Sequence, residues 1–128
     1  MNDLELAIKD ALDSGGNNQQ ANKAYLEFIK ANFIIPVDKN SAVDEPEVLY
    51  CEEKGEFFLP VFSNMDYFDA WAKDISDAIQ VLKLSGVDLL KGLGEQVNVC
   101  LNVGSEIYKE FNPAELARMK SMVLKLFK

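Results

Sequence analysis

Leu4, Ala7, Ile8, Ala11 and Leu12 recur at the i, i+3, i+4 spacing of one helical face, which predicts an amphipathic helix over residues 3–13. Ser14-Gly15-Gly16-Asn17-Asn18 supplies its stop. Ala21, Ala24, Tyr25, Phe28 and Ile29 mark a second helix from about Gln20 to Asn32. Phe33-Ile34-Ile35-Pro36-Val37 is apolar, but its proline lacks an N–H, so the segment fits a sheet edge or a strand end. Val48–Cys51 and Phe57–Phe62 flank Glu53-Lys54-Gly55 and predict a β-hairpin. Pro60 requires the second hairpin strand to be an edge or to stop pairing there.

Three helix starts repeat one piece of chemistry. Ser63 precedes Asp66, Ser85 precedes Asp88, and Asn112-Pro113 precedes Glu115, each placing a capping oxygen and an N3 carboxylate on free N–H groups. Phe62 with Tyr67, Leu84 with Leu89, and Phe111 with Leu116 form the matching hydrophobic staples. Ile79–Leu84 reads as a strand. In 97–103, Val97, Val99, Leu101 and Val103 share one face and Asn98, Cys100 and Asn102 the other. Glu106–Phe111 alternates as well, and a last helix over 113–127 carries Leu116, Met119, Val123, Leu126 and Phe127. Helices between strands favour parallel crossovers, and hairpins add antiparallel pairs. The expected fold is α+β: one domain, 1–128, with a mixed five- or six-stranded sheet packed with helices.

Composition narrows the chemistry. The chain of 128 residues has 13 Lys plus Arg, 21 Asp plus Glu and no histidine, for a net charge of -8. That balance argues against nucleic acid as a partner. The absence of histidine removes the commonest metal ligand and every imidazole-dependent triad. No apolar run is long enough to span a bilayer, so no membrane partner is expected. An acidic start without a signal layout, and two separated cysteines, Cys51 and Cys100, point to the cytoplasm and to reduced, inert thiols. Residues 38–56 hold seven acids against Lys39 and Lys54, which reads as a solvated loop and hairpin tip or, more sharply, an acidic docking patch.

No catalytic, cofactor-binding or metal residues emerge. Asp66, Asp69, Asp74 and Asp77 do not share one helical face, and the glycines form no phosphate-binding motif. Trp71 shares a face with Phe68, which fits core packing, with an exposed interface anchor as the alternative. Asn98, Asn102, Ser105 and Asn112 are candidates for a small polar interaction patch beside the sheet, set against the local alternative of bonding turn backbone. Residues 112–128 carry four cations against Glu115, a balance of +3, whereas the other residues hold nine bases and twenty acids, or -11. Arg118, Lys120, Lys125 and Phe127 thus mark a docking helix for an acidic protein partner or a second copy of the chain, in a contact that weakens with salt, set against the plainer alternative of cations pairing with the helix C-terminus.

Phe58-Leu59-Pro60-Val61-Phe62-Ser63, the helix with Trp71, and Leu84-Ser85-Gly86-Val87-Asp88-Leu89-Leu90 together resemble the N-terminal domain of SseB-like proteins. Val99–Ser105 and Phe111–Ala117 continue the pattern over nearly the whole chain. The bacterial family is typified by a protein linked to enhanced serine sensitivity. Members often have Asn-Pro-Gly where this chain has Asn102-Val103-Gly104, and longer members carry a C-terminal domain. The resemblance implies the fold. The function expected is a cytoplasmic, non-enzymatic protein–protein interaction or regulatory module. The alternatives are a small histidine-free enzyme acting on a metabolite and a type III secretion-associated accessory protein.

Overall fold

A computed structural model describes residues 2–15, 17–41, 47–94 and 96–126. Helices α1 (Asp3–Asp13) and α2 (Asn18–Lys30) lead into β1 (Asn32–Asp38), β2 (Cys51–Glu53) and β3 (Glu56–Val61). Then follow α3 (Met65–Ala72), a 3₁₀ turn (Ser76–Ala78), β4 (Ile79–Ser85), α4 (Gly86–Gly92), β5 (Asn98–Leu101), β6 (Lys109–Phe111) and α5 (Pro113–Leu126). The class is α+β, as the patterning predicts, but the six strands form two sheets instead of one. β1 pairs with β4, and the second sheet has the order β2-β3-β5-β6. Only β3 and β5 are parallel; β1–β4, β2–β3 and β5–β6 are antiparallel.

Two prolines explain the split. Ile34 and Phe62 exchange both backbone hydrogen bonds at 2.9 Å, the one rung between β1 and the end of β3. Continuing that antiparallel register sets Pro36 against Pro60, and neither has an N–H to donate. Pairing of β2 with β3 has already ended at Cys51–Phe58. Pro60 therefore sits in an internal strand without losing a ladder bond on that side.

Helices α1, α2, α4 and α5 bury their apolar stripes with Leu59, Val61, Val99, Leu101 and Phe111 in the main core. The rings of Phe28 and Phe33 lie 4.6 Å apart, and those of Phe28 and Phe111 lie 5.0 Å apart. Helix α3 covers a second cluster of Ile34, Phe62, Phe68, Ala72 and Ile79, against which Trp71 packs half-buried. The Tyr25 phenol donates to Glu115 at 2.7 Å; burial, then Glu115, pushes its pKa up to about 12.

The helix starts follow the capping rule with one correction. Ser85 caps α4 through the Asp88 N–H at 3.1 Å, and Asn112 and Glu115 form a reciprocal box on α5. At α3 the cap is Asn64, accepting from Tyr67 N–H at 3.0 Å, because Ser63 is drawn into the interior. Asn2 and Glu5 form a further capping box on α1. Strand β5 is also shorter than its alternation suggests. It ends at Leu101, since Asn102 turns into the left-handed region at φ 57° and donates its N–H to Val61.

The β2–β3 turn places Lys54 at φ 52° and Gly55 at φ 82°, the paired left-handed conformation of a tight hairpin turn. Lysine is a poor residue there and asparagine a good one. Lys54→Asn is expected to stabilise the domain by about 0.5–1 kcal/mol in denaturant melts, the size of an αL preference at one position.

Candidate functional site

All four helices of the main core lie on one face of the β2-β3-β5-β6 sheet, where Leu59, Val61, Val99, Leu101 and Phe111 point. The alternate residues Phe58, Pro60, Asn98, Cys100 and Glu110 point the other way. Helix α3 packs on that second face at its Phe62 end, and among the described residues no α3 residue lines the hollows over Phe58, Asn98, Cys100 and Glu110. Phe58 is half-buried there, Pro60 and Cys100 are buried, and Tyr108 sets its phenol 3.8 Å from the Cys100 sulfur. Two hollows cross the face, of about 220 Å³ and 530 Å³. Glu56, Asn98 and Glu110 line both, so they form one continuous groove.

Its electrostatics are one-sided. Glu53 lies directly opposite Glu56 in the β2–β3 ladder, and Glu110 pairs with Cys100 across β5–β6. Like charges facing each other across a ladder are unfavourable. Among the described residues, Lys54 is the one cation lining the groove, against the carboxylates of Glu53, Glu56 and Glu110. The arrangement suits a cation carried on apolar structure.

The thiols offer no nucleophile. Burial pushes the Cys51 thiol up. Burial also raises Cys100, with the Tyr108 hydrogen bond opposing, while Tyr108 itself reaches about 12. Both thiols are therefore protonated at neutral pH, and a protonated thiol is a weak nucleophile. Among the described residues no group of three or more acids or cysteines is placed to hold a metal ion.

The four residues proposed as a polar patch separate. Asn98 and Asn112 line the groove together. Asn102 is fully buried at the other end of β5. Ser105 serves its own turn, donating its N–H to Asn102 O at 3.0 Å and accepting the Ile107 N–H at 3.1 Å. On α5, Arg118 donates to Asn22 at 3.2 Å and lies over the Tyr25 ring, while Lys120 donates to the Leu93 carbonyl at 3.2 Å, beyond the end of α4. These two cations are held within the chain. Lys125 is exposed beside Leu124, which is 72% exposed, and Phe127 lies outside the described residues. Of the acidic interval, Glu53 and Glu56 reach the groove, Asp38 caps the Asn40 N–H at 2.7 Å, and Asp44 and Glu45 lie outside the described residues.

A buried polar network is the feature that sequence reading missed. Glu5, 3% exposed, accepts from Asn2 N–H at 3.0 Å, from Asn64 Nδ2 at 2.7 Å and from Ser63 Oγ. Asn102 accepts the Ser63 N–H at 3.0 Å and donates to Ser63 Oγ at 2.9 Å. Its parts come from positions 5, 63 and 102, and only the Asn2/Glu5 box leaves a local signal. The network fills the space beyond the carboxyl ends of the parallel strands β3 and β5, where open α/β sheets usually bind ligands. Here the chain's own side chains satisfy one another.

A search of curated proteins and of solved structures finds no match to the chain. The family model described as the SseB protein N-terminal domain matches residues 4–118, from α1 into α5. A match of that extent takes in both sheets, the buried network and the uncovered groove, and the chain belongs to the SseB N-terminal domain family.

Proposed function

We propose that this domain is a cytoplasmic, non-enzymatic protein–protein interaction module whose sheet face beyond α3 receives a basic, partly apolar segment of another protein. One observation carries the reading: beyond the Phe62 end that α3 covers, the second face of the four-stranded sheet presents half-buried Phe58 beside the carboxylates of Glu53, Glu56 and Glu110. Glu53 and Glu56 face each other, so a lysine or arginine brought between them relieves repulsion as it binds. Phe58 and the buried Cys100 beside it then exclude water around that contact.

The test is capture by the tagged domain from its source cell, with crosslinking through Lys54, beside a Glu56→Lys/Glu110→Lys variant. The expected result is one stoichiometric protein that crosslinks through a basic segment, binds at least about tenfold more weakly to the variant, and is released as salt rises. Equal retention by the variant overturns the reading. So does a partner-free domain that consumes a metabolite from extract, which is the outcome an enzyme gives.

A further inference from the structure

Among the described residues, strand β4 is hydrogen-bonded on one side only, to β1. Backbone groups alternate sides along a strand, and those of β1 fix the pattern. The N–H groups of Ile34 and Asp38 go to Phe62 and Glu47, away from β4. Phe33, Ile35 and Val37 therefore bond β4, opposite Leu84, Leu82 and Gln80. The N–H and C=O groups of Val81 and Lys83 consequently point outward, and among the described residues nothing bonds them. The strand runs seven residues in unbroken register, has no proline, and leaves Val81 38% exposed. An open edge of this length is a template for another strand.

We propose that two copies of the chain pair β4 to β4, antiparallel across a two-fold axis at Leu82. Unpaired alternating donors and acceptors call for a strand, and this strand complements itself. With Leu82 meeting its counterpart, Val81 meets Lys83 of the second copy, Gln80 meets Leu84, and Ile79 meets Ser85. Val81 and Lys83 then form the hydrogen-bonded pairs, as their outward backbone requires. The single charge in β4 lies against an aliphatic side chain, all seven residues are used, and half-buried Leu82 and Leu84 gain cover. A slip of one residue per strand toward the C-terminus would set Lys83 against itself. The symmetric pairing makes β1-β4-β4-β1 one four-stranded sheet.

The interface is distinct from the acidic groove and has the opposite salt response. Each copy carries a net charge of -8, so screening the mutual repulsion tightens the pairing. Sedimentation equilibrium at low and high salt tests this, with hydrogen exchange at the Val81 and Lys83 amides followed against protein concentration. The expected result is a concentration-dependent dimer, tighter at high salt, with both amides protected as it forms. Val81→Lys places like charges at two symmetric rungs and should weaken the dimer about tenfold, and adding Lys83→Glu should restore it to within about threefold. Unchanged melting curves for both variants show that the fold is intact. A strict monomer at high protein and high salt overturns the proposal. So does a dimer indifferent to Val81→Lys, or an edge that binds an extended peptide while the chain stays monomeric.

Discussion

Asn102→Ala should destabilise the domain by about 3–4 kcal/mol, the sum of an orphaned buried donor, a lost side-chain hydrogen bond and a less tolerant left-handed residue. Asn102 is fully buried, and its amide engages Ser63 twice, at the backbone N–H and at Oγ. Alanine leaves the Ser63 N–H without its acceptor in a site closed to water. It also removes one of the two partners of Ser63 Oγ, whose other contact is buried Glu5. The backbone at φ 57° adds a further penalty, because asparagine tolerates this region better than alanine. Asn102→Gly separates the contributions: it loses the same hydrogen bonds but relieves the backbone, and should lie about 1 kcal/mol above the alanine variant. Denaturant melts of the two variants measure both numbers. A loss below about 1 kcal/mol for alanine would mean that water replaces the amide.

Gly86→Ala should be comparably damaging, at about 3 kcal/mol, the upper part of the range for overpacking a tight contact. A Cβ at Gly86 would lie 2.1 Å from the Phe28 carbonyl oxygen and 2.8 Å from that of Ile29. Both are backbone atoms at the end of α2, so no side-chain rotation relieves the clash. The same glycine donates its N–H to Ala31 O at 2.8 Å, which fixes α4 against the α2–β1 junction. Gly92, in the same helix, is the control, because a Cβ there meets nothing within 4 Å. Gly92→Ala is expected to be neutral or to stabilise by about 0.4–1 kcal/mol through the unfolded chain. Thermal or denaturant melts of the pair should therefore differ in sign or nearly so. Equal small effects would show that α2 and α4 move apart freely.

Much of the candidate groove lay open to reading in parts but not as a whole. The alternation in 97–103 places Asn98 and Cys100 on one side of β5, and the hairpin pattern places Glu53 beside Glu56. That α3 covers this side at Phe62 and leaves the stretch over Phe58 open depends on where the helices pack, and their stripes are equally compatible with either face of the sheet. Likewise the charge of α5 was visible, but the partners of Arg118 and Lys120 were not. Asn22 and the Leu93 carbonyl lie 96 and 27 residues away along the chain.

By itself the sequence determined the features that depend on neighbours within a few residues. These are the stripes of α1, α2 and α5, the caps at Ser85 and Asn112, the tight turn at Lys54-Gly55, and the buried Val99/Leu101 face. Periodicity, capping and turn conformation are local energies, written in residues that touch their own turn or strand. The tertiary structure alone decided the division into two sheets, the move of the α3 cap from Ser63 to Asn64, the burial of Glu5 with Ser63 and Asn102, and the open edge of β4. A serine has the same local options in either role, and long-range packing selects between them. Ser63 became a buried link because Glu5 and Asn102, 58 and 39 residues distant, arrived on either side of it.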